Sequence, residues 1–435
     1  MPAKHPPAKG QFESSHEHGA TDMKIAANGI WTGTGEPAPG RLSIAAGRIE
    51  GLLPPGEADL DLGDAILCAG FVNAHVHLDL SLPRPTETME SSFDDWLRSV
   101  VETRRNLGDD GITMAATCGG EEALASGTTA LFDIDPAGHS IAALTDSPLR
   151  RLILREVISL QAQPGPDLTA IQSFLGGSSD PAYERRGLSP HSSYTVHPEV
   201  LRQLLPLCRE QGSPWAMHVA EPTWERDLLV NGHGEGARFL EGFGANPDEF
   251  CRSETMIESL LKTNDLTSHG LVIHGNECSQ TELAAIGESG SALVWCPRSH
   301  AFFGRPTHPA PEATRLGVPV LLGTDGKVSA GTLSMLDEMR CAAASVRETT
   351  STLDATDIWQ MATINPRKWL AGTGHGDFLG SGTLKAGDPA DLVAVSIPQG
   401  KNTTLEKALE KALDGQVIGC WIDGRALSPE PLPDQ

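Results

Sequence analysis

The feature that most constrains the fold is a regular alternation of short apolar runs with longer segments that suit helices. Candidate strands are Ala65–Ala74, Thr128–Ile134, Leu152–Ile158, Gly187–His191, Trp215–Val219, Leu271–His274, Ala292–Cys296 and Val318–Thr324. A helix-compatible stretch follows each of these runs, which is the pattern of β-α units around a parallel sheet. Eight such strands predict an α/β protein whose sheet closes into a (β/α)₈ barrel.

The two ends of the chain have a different texture. Short strand-like runs broken by Gly and Pro occur near both ends, as in KIAANGIWTG and GQVIGCWIDGRAL. We therefore expect residues 23–68 and 376–435 to pair into one small β-sandwich, with residues 69–375 forming the barrel. Residues 1–22 are polar and are predicted to form a flexible tail.

Charge and composition restrict the partners and the compartment. The chain has 33 basic and 57 acidic residues, a net charge of −24, and no lysine between Lys24 and Lys262. Such a surface disfavours nucleic acid and anionic membranes, and no apolar run reaches the roughly 20 residues that span a bilayer. The first 22 residues lack a signal-peptide core, and the eight cysteines form no CxxC pair, so we expect a cytoplasmic protein with reduced thiols.

A pair of histidines lies in the first candidate barrel strand, in the motif FVNAHVHLD. Side chains at positions i and i+2 of a strand share one face, so His75 and His77 can both point into the barrel mouth. Two imidazoles suit zinc or iron, although a half-buried pair without a metal is an equal alternative. His16 and His18 have the same spacing but lie in the polar tail, and we interpret them as solvated.

Three further strand ends carry residues of the same chemical types. His218 and Glu221 end the fifth candidate strand, His274 ends the sixth, and Asp325 ends the eighth. Singly, these residues are also compatible with structural roles, as core histidines, a helix-opening glutamate and a turn-forming aspartate. Together they place ligand-type side chains on one rim, at the end of the barrel where active sites lie.

The motifs at these strand ends resemble those of the amidohydrolase superfamily, in its mononuclear-metal deaminase and chlorohydrolase branch. The matching segments are GFVNAHVHLDLS, MHVAEPTWE, LVIHGNECS, VWCPRSHAFFG, LLGTDG, ATINPRKWLA and GTLKAGDPADLVAV. The resemblance implies that four residues hold one divalent ion, zinc or alternatively iron: His75, His77, His218 and Asp325. It further implies catalytic roles for Glu221 as a proton shuttle, for His274 beside the attacking water, and for Asp325.

A second metal bridged by a carboxylated lysine is not expected. The fourth candidate strand ends in LSPH, without the lysine that dinuclear members of the superfamily carry there. Lys327, which follows the proposed metal ligand Asp325, is expected to point outward.

Four residues are candidates for contacts with substrate. His191 ends the fourth strand, Arg298 and Ser299 follow the seventh, and Trp96 lies in the first loop region. Three of them also have a structural alternative: His191 as a capping or core residue, Arg298 in an ion pair, and Trp96 in helix packing.

The function predicted from these residues and this resemblance is hydrolytic deamination of an aminated N-heterocycle, with release of ammonia. A small purine-nucleoside-like substrate is expected, such as an adenosine thioether or an aminodeoxyfutalosine-type compound. The alternatives are dechlorination of a triazine-like ring, opening of a cyclic amide, and a barrel that binds a ligand without catalysis. By analogy with the superfamily, the protein is a candidate homo-oligomer.

Overall fold

The computed structural model describes residues 22–82, 92–178, 180–347, 353–376, 378–398 and 407–427. The strands are β1 Met23–Ile30, β2 Ala38–Ala45, β3 Arg48–Leu53, β4 Leu60–Asp61, β5 Ala65–Ala69, β6 Phe71–His77, β7 Thr128–Asp135, β8 Arg150–Val157, β9 Glu184–Pro190, β10 Trp215–Val219, β11 Gly270–His274, β12 Ala292–Trp295, β13 Val320–Leu322, β14 Asp325–Gly326, β15 Leu392–Ser396, β16 Val417–Ile422 and β17 Arg425–Ala426. The helices are α1 Phe93–Ala125, α2 His139–Ala143, α3 Leu168–Leu175, α4 Pro198–Gln211, α5 Glu225–Asn231, α6 Glu235–Gly242, α7 Met256–Lys262, α8 Gln280–Ser289, α9 Pro297–Phe302, α10 Ala310–Arg315, α11 Lys327–Ala330, α12 Met335–Arg347, α13 Ala355–Leu370 and α14 Ala408–Ala412.

The predicted barrel is confirmed. Strands β6 to β12 follow one another in parallel around one sheet, with β13 beside β12 and β14 beside β6. The last barrel strand is therefore made of two short pieces, and the second piece closes the sheet by pairing Asp325 with Val76. The interior is packed with apolar side chains from successive strands, among them Val72, Phe132, Leu154, Ala216, Ile273, Val294 and Leu321.

The predicted strand Ala65–Ala74 is wrong, because it joins two strands of different sheets. Strand β5 pairs with β15 in the smaller sheet, whereas β6 begins the barrel. The chain changes sheet at Gly70, where a Cβ atom would lie only 2.2 Å from Cγ2 of Thr129. Both strands are entirely buried, so the hydropathy of the sequence shows no break between them.

Both ends of the described chain contribute to the smaller sheet. Its strand order is β17-β16-β15-β5-β1-β2-β3, with β4 paired to β1. The expected domain limits near residues 68 and 376 stay a prediction.

Local sequence signals set several helix ends. Helices α7 and α8 begin at capping boxes formed by Thr255 with Glu258 and by Ser279 with Glu282. Helix α4 starts with Pro198 and ends at Gly212 in a left-handed conformation, the usual asymmetry of helix ends.

Among the described helices, none combines the length and the apolar character needed to cross a bilayer. The tail with His16 and His18 lies outside the described residues.

Candidate active site

Three histidines meet at the mouth of the barrel. His75 and His77 end β6 and His218 lies in β10, and ligand nitrogens of the three rings lie within 4.8 Å of one another. The Nε2 atoms of His77 and His218 are 3.3 Å apart. The three residues are only 1 %, 5 % and 3 % exposed, respectively, so the group is shielded from bulk solvent.

Asp325 completes this group from β14. Its Oδ1 atom lies 3.5 Å from Nε2 of His75 and 3.8 Å from Nε2 of His77. Its Oδ2 atom accepts hydrogen bonds from the hydroxyls of Ser299, at 2.7 Å, and Ser329, at 2.9 Å. The two serines therefore fix the carboxylate with Oδ1 turned toward the histidines.

The backbone is strained at the strand ends that aim these side chains. His274 and Asp325 have positive φ angles of 66° and 63°, and Ala220, beside Glu221, has one of 52°. Residues other than glycine rarely adopt this conformation, and such strain is concentrated at functional sites. A Cβ atom at Gly323 would lie 2.8 Å from the backbone nitrogen of His75, so only glycine lets the last barrel strand pass this close to His75.

Two of the histidines, His77 and His218, are held in the neutral form that binds metals. Burial lowers the pKa of His77 and His218 well below the usual value, and nearby imidazoles act in the same direction. Nδ1 of His218 lies 2.7 Å from the carbonyl oxygen of His191. Because that contact requires a proton on Nδ1, Nε2 of His218 carries a lone pair toward the other rings. Burial opposes ionisation of Asp325, but the imidazole of His75 beside it holds the pKa of the carboxyl well below the usual value.

These residues fit a divalent metal ion. Both ring nitrogens of His75 and Nδ1 of His77 are buried and have no hydrogen-bond partner among the described residues. Buried polar atoms without partners are costly, and a coordinated cation would satisfy one nitrogen of each ring. Three imidazoles and one carboxylate form a donor set typical of zinc, and iron also accepts it. The identity of the ion stays a prediction.

Glu221 and His274 stand together beside this group. Oε1 of Glu221 lies 3.5 Å from Nε2 of His274, and Oε2 of Glu221 accepts a 3.1 Å hydrogen bond from the hydroxyl of Tyr194. The backbone of Glu221 is also fixed, because its N–H donates to Glu225 and its carbonyl accepts from Asn276. These contacts leave Oε1 of Glu221 facing the imidazole of His274.

The carboxyl group of Glu221 is tuned for proton transfer. Burial and the negative charge of Asp325 raise its pKa to about 8, although the charge of Arg305 and the hydroxyl of Tyr194 act in the opposite direction. A carboxyl group that titrates near neutral pH can both give and take a proton during turnover. Burial lowers the pKa of His274 well below its usual value, so this imidazole is neutral.

His191, one of the four predicted substrate contacts, lies beside the metal group. Its ring is 4.8 Å from the ring of His218, and its Nδ1 lies 2.6 Å from the hydroxyl oxygen of Thr195. Its Nε2 is 3.9 Å from Oε1 of Glu156. Burial and the charge of Arg104 lower the pKa of His191 to about 3, so the ring is neutral.

The other predicted contacts all have protein partners. Arg298 donates to the hydroxyl of Thr332 at 2.7 Å and lies 3.8 Å from Glu338. The hydroxyl of Ser299 is directed to Asp325, as described above. The ring of Trp96 packs 4.9 Å from that of Phe303. Contact of these residues with a substrate stays a prediction.

The ammonium group of Lys327 lies 2.6 Å from a carboxylate oxygen of Glu122 on α1.

Several residues of the site were missed by the sequence reasoning. They are Tyr194, Glu225, Asn276, Arg305 and Ser329. Tyr194 follows His191 by three residues and Ser329 follows Asp325 by four, so proximity to a predicted strand end was the only signal. Arg305 had no such signal, because its position depends on how the loop after α9 folds back.

Comparisons with known proteins agree with this architecture. The model of the amidohydrolase family matches residues 66–427. A 5-methylthioadenosine/S-adenosylhomocysteine deaminase of Haloarcula marismortui is 28 % identical over 356 residues, 79 % of this chain and 75 % of that protein. An aminodeoxyfutalosine deaminase of Nitratiruptor sp. is 27 % identical over 344 residues, 78 % of this chain and 80 % of that protein. The crystal structure of an adenosine deaminase from Xanthomonas campestris with bound zinc superposes with a TM-score of 0.76 and 22 % identity, covering 95 % of this chain and 94 % of that one.

Proposed function

The chain belongs to the amidohydrolase family, and from that premise we propose that it is a metal-dependent aminohydrolase. Its substrate is an aminated N-heterocycle of the purine-nucleoside class, from which it releases ammonia. The observation that carries this proposal is the placement of Glu221 and His274, 3.5 Å apart, beside the group of His75, His77 and Asp325. The deaminase names of the relatives from Haloarcula and Nitratiruptor support the choice of reaction.

The proposed residue roles follow from these positions. A divalent ion held by His75, His77, His218 and Asp325 would lower the pKa of a bound water to about 7 and so supply hydroxide at neutral pH. Glu221 carries a proton near neutral pH and delivers it to the ring nitrogen next to the reacting carbon. His274, whose Nε2 has no hydrogen-bond partner among the described residues, donates to or accepts from the oxygen added at that carbon.

Proton transfer to the leaving amino group completes the reaction. After giving its proton to the ring nitrogen, the Glu221 carboxylate takes up the proton of the hydroxyl added at the carbon and passes it to the amino group. The C–N bond then breaks, ammonia leaves, and the added oxygen remains on the ring as a carbonyl. Tyr194 holds Oε2 of Glu221, so Oε1 is the atom that gives and takes the proton. Burial of Glu221 and His274 keeps bulk water from competing for it.

The proposal is tested by metal analysis and a product screen on the purified full chain. Ammonia, chloride and ring-opened product are measured separately with aminopurine nucleosides, chlorotriazines and cyclic amides. We expect ammonia from at least one aminopurine nucleoside, loss of that activity after chelation, and recovery when zinc or iron is restored. Chloride or ring-opened product without any ammonia would overturn the proposed reaction.

A further inference from the structure

We propose that the chain has a second ligand site, away from the barrel mouth, in which Arg252 and Arg202 bind the phosphate group of a small phosphorylated sugar. The site is a surface cavity of about 580 Å³, near the points where α4 and α7 begin. None of the residues that line it belongs to the candidate active site. The site is therefore independent of the proposed reaction.

Arg252 lines this cavity with part of its guanidinium group unused. The residue is half-buried, and its Nε and Nη2 atoms are buried and have no hydrogen-bond partner among the described residues. A guanidinium carries several N–H donors and a permanent positive charge, and taking both out of water without a partner is costly. A partner with negative charge would remove this cost.

The carboxylates around the cavity do not serve as that partner. Each of the three that line it is paired with another basic side chain: Glu249 with His197, Glu199 with Arg202 and Glu254 with Lys262. Arg252 has no such ion pair in the part of the chain that the structure describes, although acidic residues outnumber basic ones by 57 to 33. Half-buried charges are normally paired, so Arg252 points to an anion from outside the chain.

The pKa of Arg252 reflects the same lack of negative charge. Burial lowers this pKa to about 10, and the charge of Arg202 acts in the same direction, while Glu225 opposes both. Arg104 gives the comparison, because burial also acts against its charge but Asp79 beside it raises its pKa above the usual value. Arg252 is therefore a cation at neutral pH whose charge an anion in the cavity would stabilise.

Arg202 supplies a second guanidinium to the same cavity. It lies on α4, its side chain is 62 % exposed, and its contact with Glu199, at 3.9 Å, joins two exposed groups. Such exposed pairs are weak, so the charge of Arg202 is still felt by Arg252. A phosphate carries up to about two negative charges and can relieve the repulsion between two arginines. One carboxylate would balance only one of them.

The rest of the lining favours a sugar attached to that phosphate. The volume of about 580 Å³ lies in the range of small-molecule sites and exceeds what a phosphate ion fills. Carboxylates accept hydrogen bonds from hydroxyl groups, and Glu249 and Glu254 stand in the same cavity as the arginines. A compound with a phosphate at one end and hydroxyls at the other matches both parts of the lining.

Helix α5 lies between this cavity and the candidate active site. Its first residue, Glu225, accepts a hydrogen bond from the backbone N–H of Glu221. Toward its other end, the carbonyl oxygen of Leu229 accepts one from the backbone N–H of Arg252, at 2.7 Å. Because the two sites share no side chain, we expect the phosphorylated sugar to bind whether or not the barrel mouth holds a metal ion.

The test measures binding to the full chain by isothermal titration calorimetry. Ribose 5-phosphate, ribose, inorganic phosphate and succinate are titrated into the wild type, Arg252→Met, Arg252→Lys and Arg202→Met. Arg315→Met is the matched control, because Arg315 is exposed and pairs with Glu312 outside the cavity. Thermal melting shows whether each variant is folded. Arg202 is exposed, so its variant tests the site independently of any effect of Arg252→Met on folding.

We expect one ribose 5-phosphate to bind per chain, at least about 10-fold more tightly than inorganic phosphate because the sugar adds hydrogen bonds, and no binding of ribose. Arg252→Met should weaken binding by about 10- to 100-fold, because a charge-assisted contact is lost. Arg202→Met should weaken it by about 2- to 5-fold, because that guanidinium is exposed. Arg252→Lys should lie between the wild type and Arg252→Met, and Arg315→Met should match the wild type.

Removal of the metal separates this site from the barrel mouth. Chelated wild type should bind ribose 5-phosphate as tightly as the untreated protein, and loss of binding would overturn the inference by assigning the phosphate to the metal. Equal affinity of the wild type and Arg252→Met, or tighter binding of succinate than of either phosphate compound, would also overturn it. Equal binding of inorganic phosphate and ribose 5-phosphate, both dependent on Arg252, would support the phosphate site and overturn the sugar. None of these results depends on ammonia release.

Discussion

The hydroxyl of Tyr194 donates a 3.1 Å hydrogen bond to Oε2 of Glu221, and this contact decides which carboxylate oxygen faces the reaction. Tyr194 is fully buried, and its ring packs edge-on against Trp224 and Phe239. Both oxygens of a free carboxylate are equivalent. Here one is taken by a rigid aromatic residue, so the other is presented to His274.

Tyr194→Phe should lower kcat by about 10- to 100-fold, because a hydrogen bond to a charged group is lost while the ring packing is kept. The hydroxyl lowers the pKa of Glu221, so its removal raises that pKa. Because the proposed reaction starts from protonated Glu221, the alkaline limb of the kcat/KM profile should move to higher pH. A pH–rate profile of the metal-loaded variant checks this, and an unchanged profile with wild-type kcat would show that the contact has no role in positioning.

The sequence predicts the barrel because the alternation of strand and helix is a local property. Each apolar run must be buried and each following helix must cover it, whatever the rest of the chain does. The sheet change at Gly70 is different, because the strands on both sides are buried and apolar. The close approach to Thr129, a contact across 59 residues of sequence, shows why glycine is needed at the change of sheet.

The same distinction holds for the candidate site. The alternation of side chains in a strand places His75 and His77 on one face. Because the strands are parallel, the end of the strand that carries them lies at the same rim of the barrel as the end of the strand that carries His218. Tyr194 and Arg305 come from loops whose paths depend on the packing of several elements. No spacing rule links either residue to Glu221, so their positions emerge only from the three-dimensional structure.

Glu221→Gln should separate metal binding from catalysis. Glutamine keeps the size of the side chain and can still accept the hydrogen bond from Tyr194, but it cannot carry the proton. Turnover should fall by about 10²–10⁴-fold, the usual contribution of a positioned acid-base group. Elemental analysis should find wild-type metal content. Loss of the metal would instead identify Glu221 as a ligand, and activity within a few-fold of wild type would move the proton shuttle to His274.

The two histidine pairs should behave differently. Removal of residues 1–22, which contain His16 and His18, should leave one metal ion per chain and near wild-type activity. His75→Ala should lose both metal and turnover, because His75 faces Asp325 at the centre of the group. Metal content and ammonia release of the two proteins give the comparison. Equal losses, or two tightly held ions in the wild type, would contradict the assignment of a single metal.

Ser299 is predicted from the sequence to contact substrate, and the structure gives it a second candidate role. Its hydroxyl donates to Oδ2 of Asp325 at 2.7 Å, so we expect it to position a metal ligand. Ser299→Ala should weaken metal binding by about 10-fold, which is a small effect for a residue that holds a metal ligand. The effect is small because Ser329 still donates to the same oxygen. Ser291→Ala is the matched control, since this buried serine donates to the carbonyl of Thr267 before β12 begins.

Competition with a chromophoric chelator measures the dissociation constant of zinc for both serine variants, and steady-state kinetics follow at saturating zinc. If Ser299 positions Asp325, the alanine variant should regain most of its kcat once zinc is saturating, and its KM should stay close to that of the wild type. If Ser299 contacts the substrate, the affinity for zinc should be unchanged and KM should rise. The two roles therefore predict different results for both the zinc affinity and KM, because only a positioning role acts through Oδ2 of Asp325.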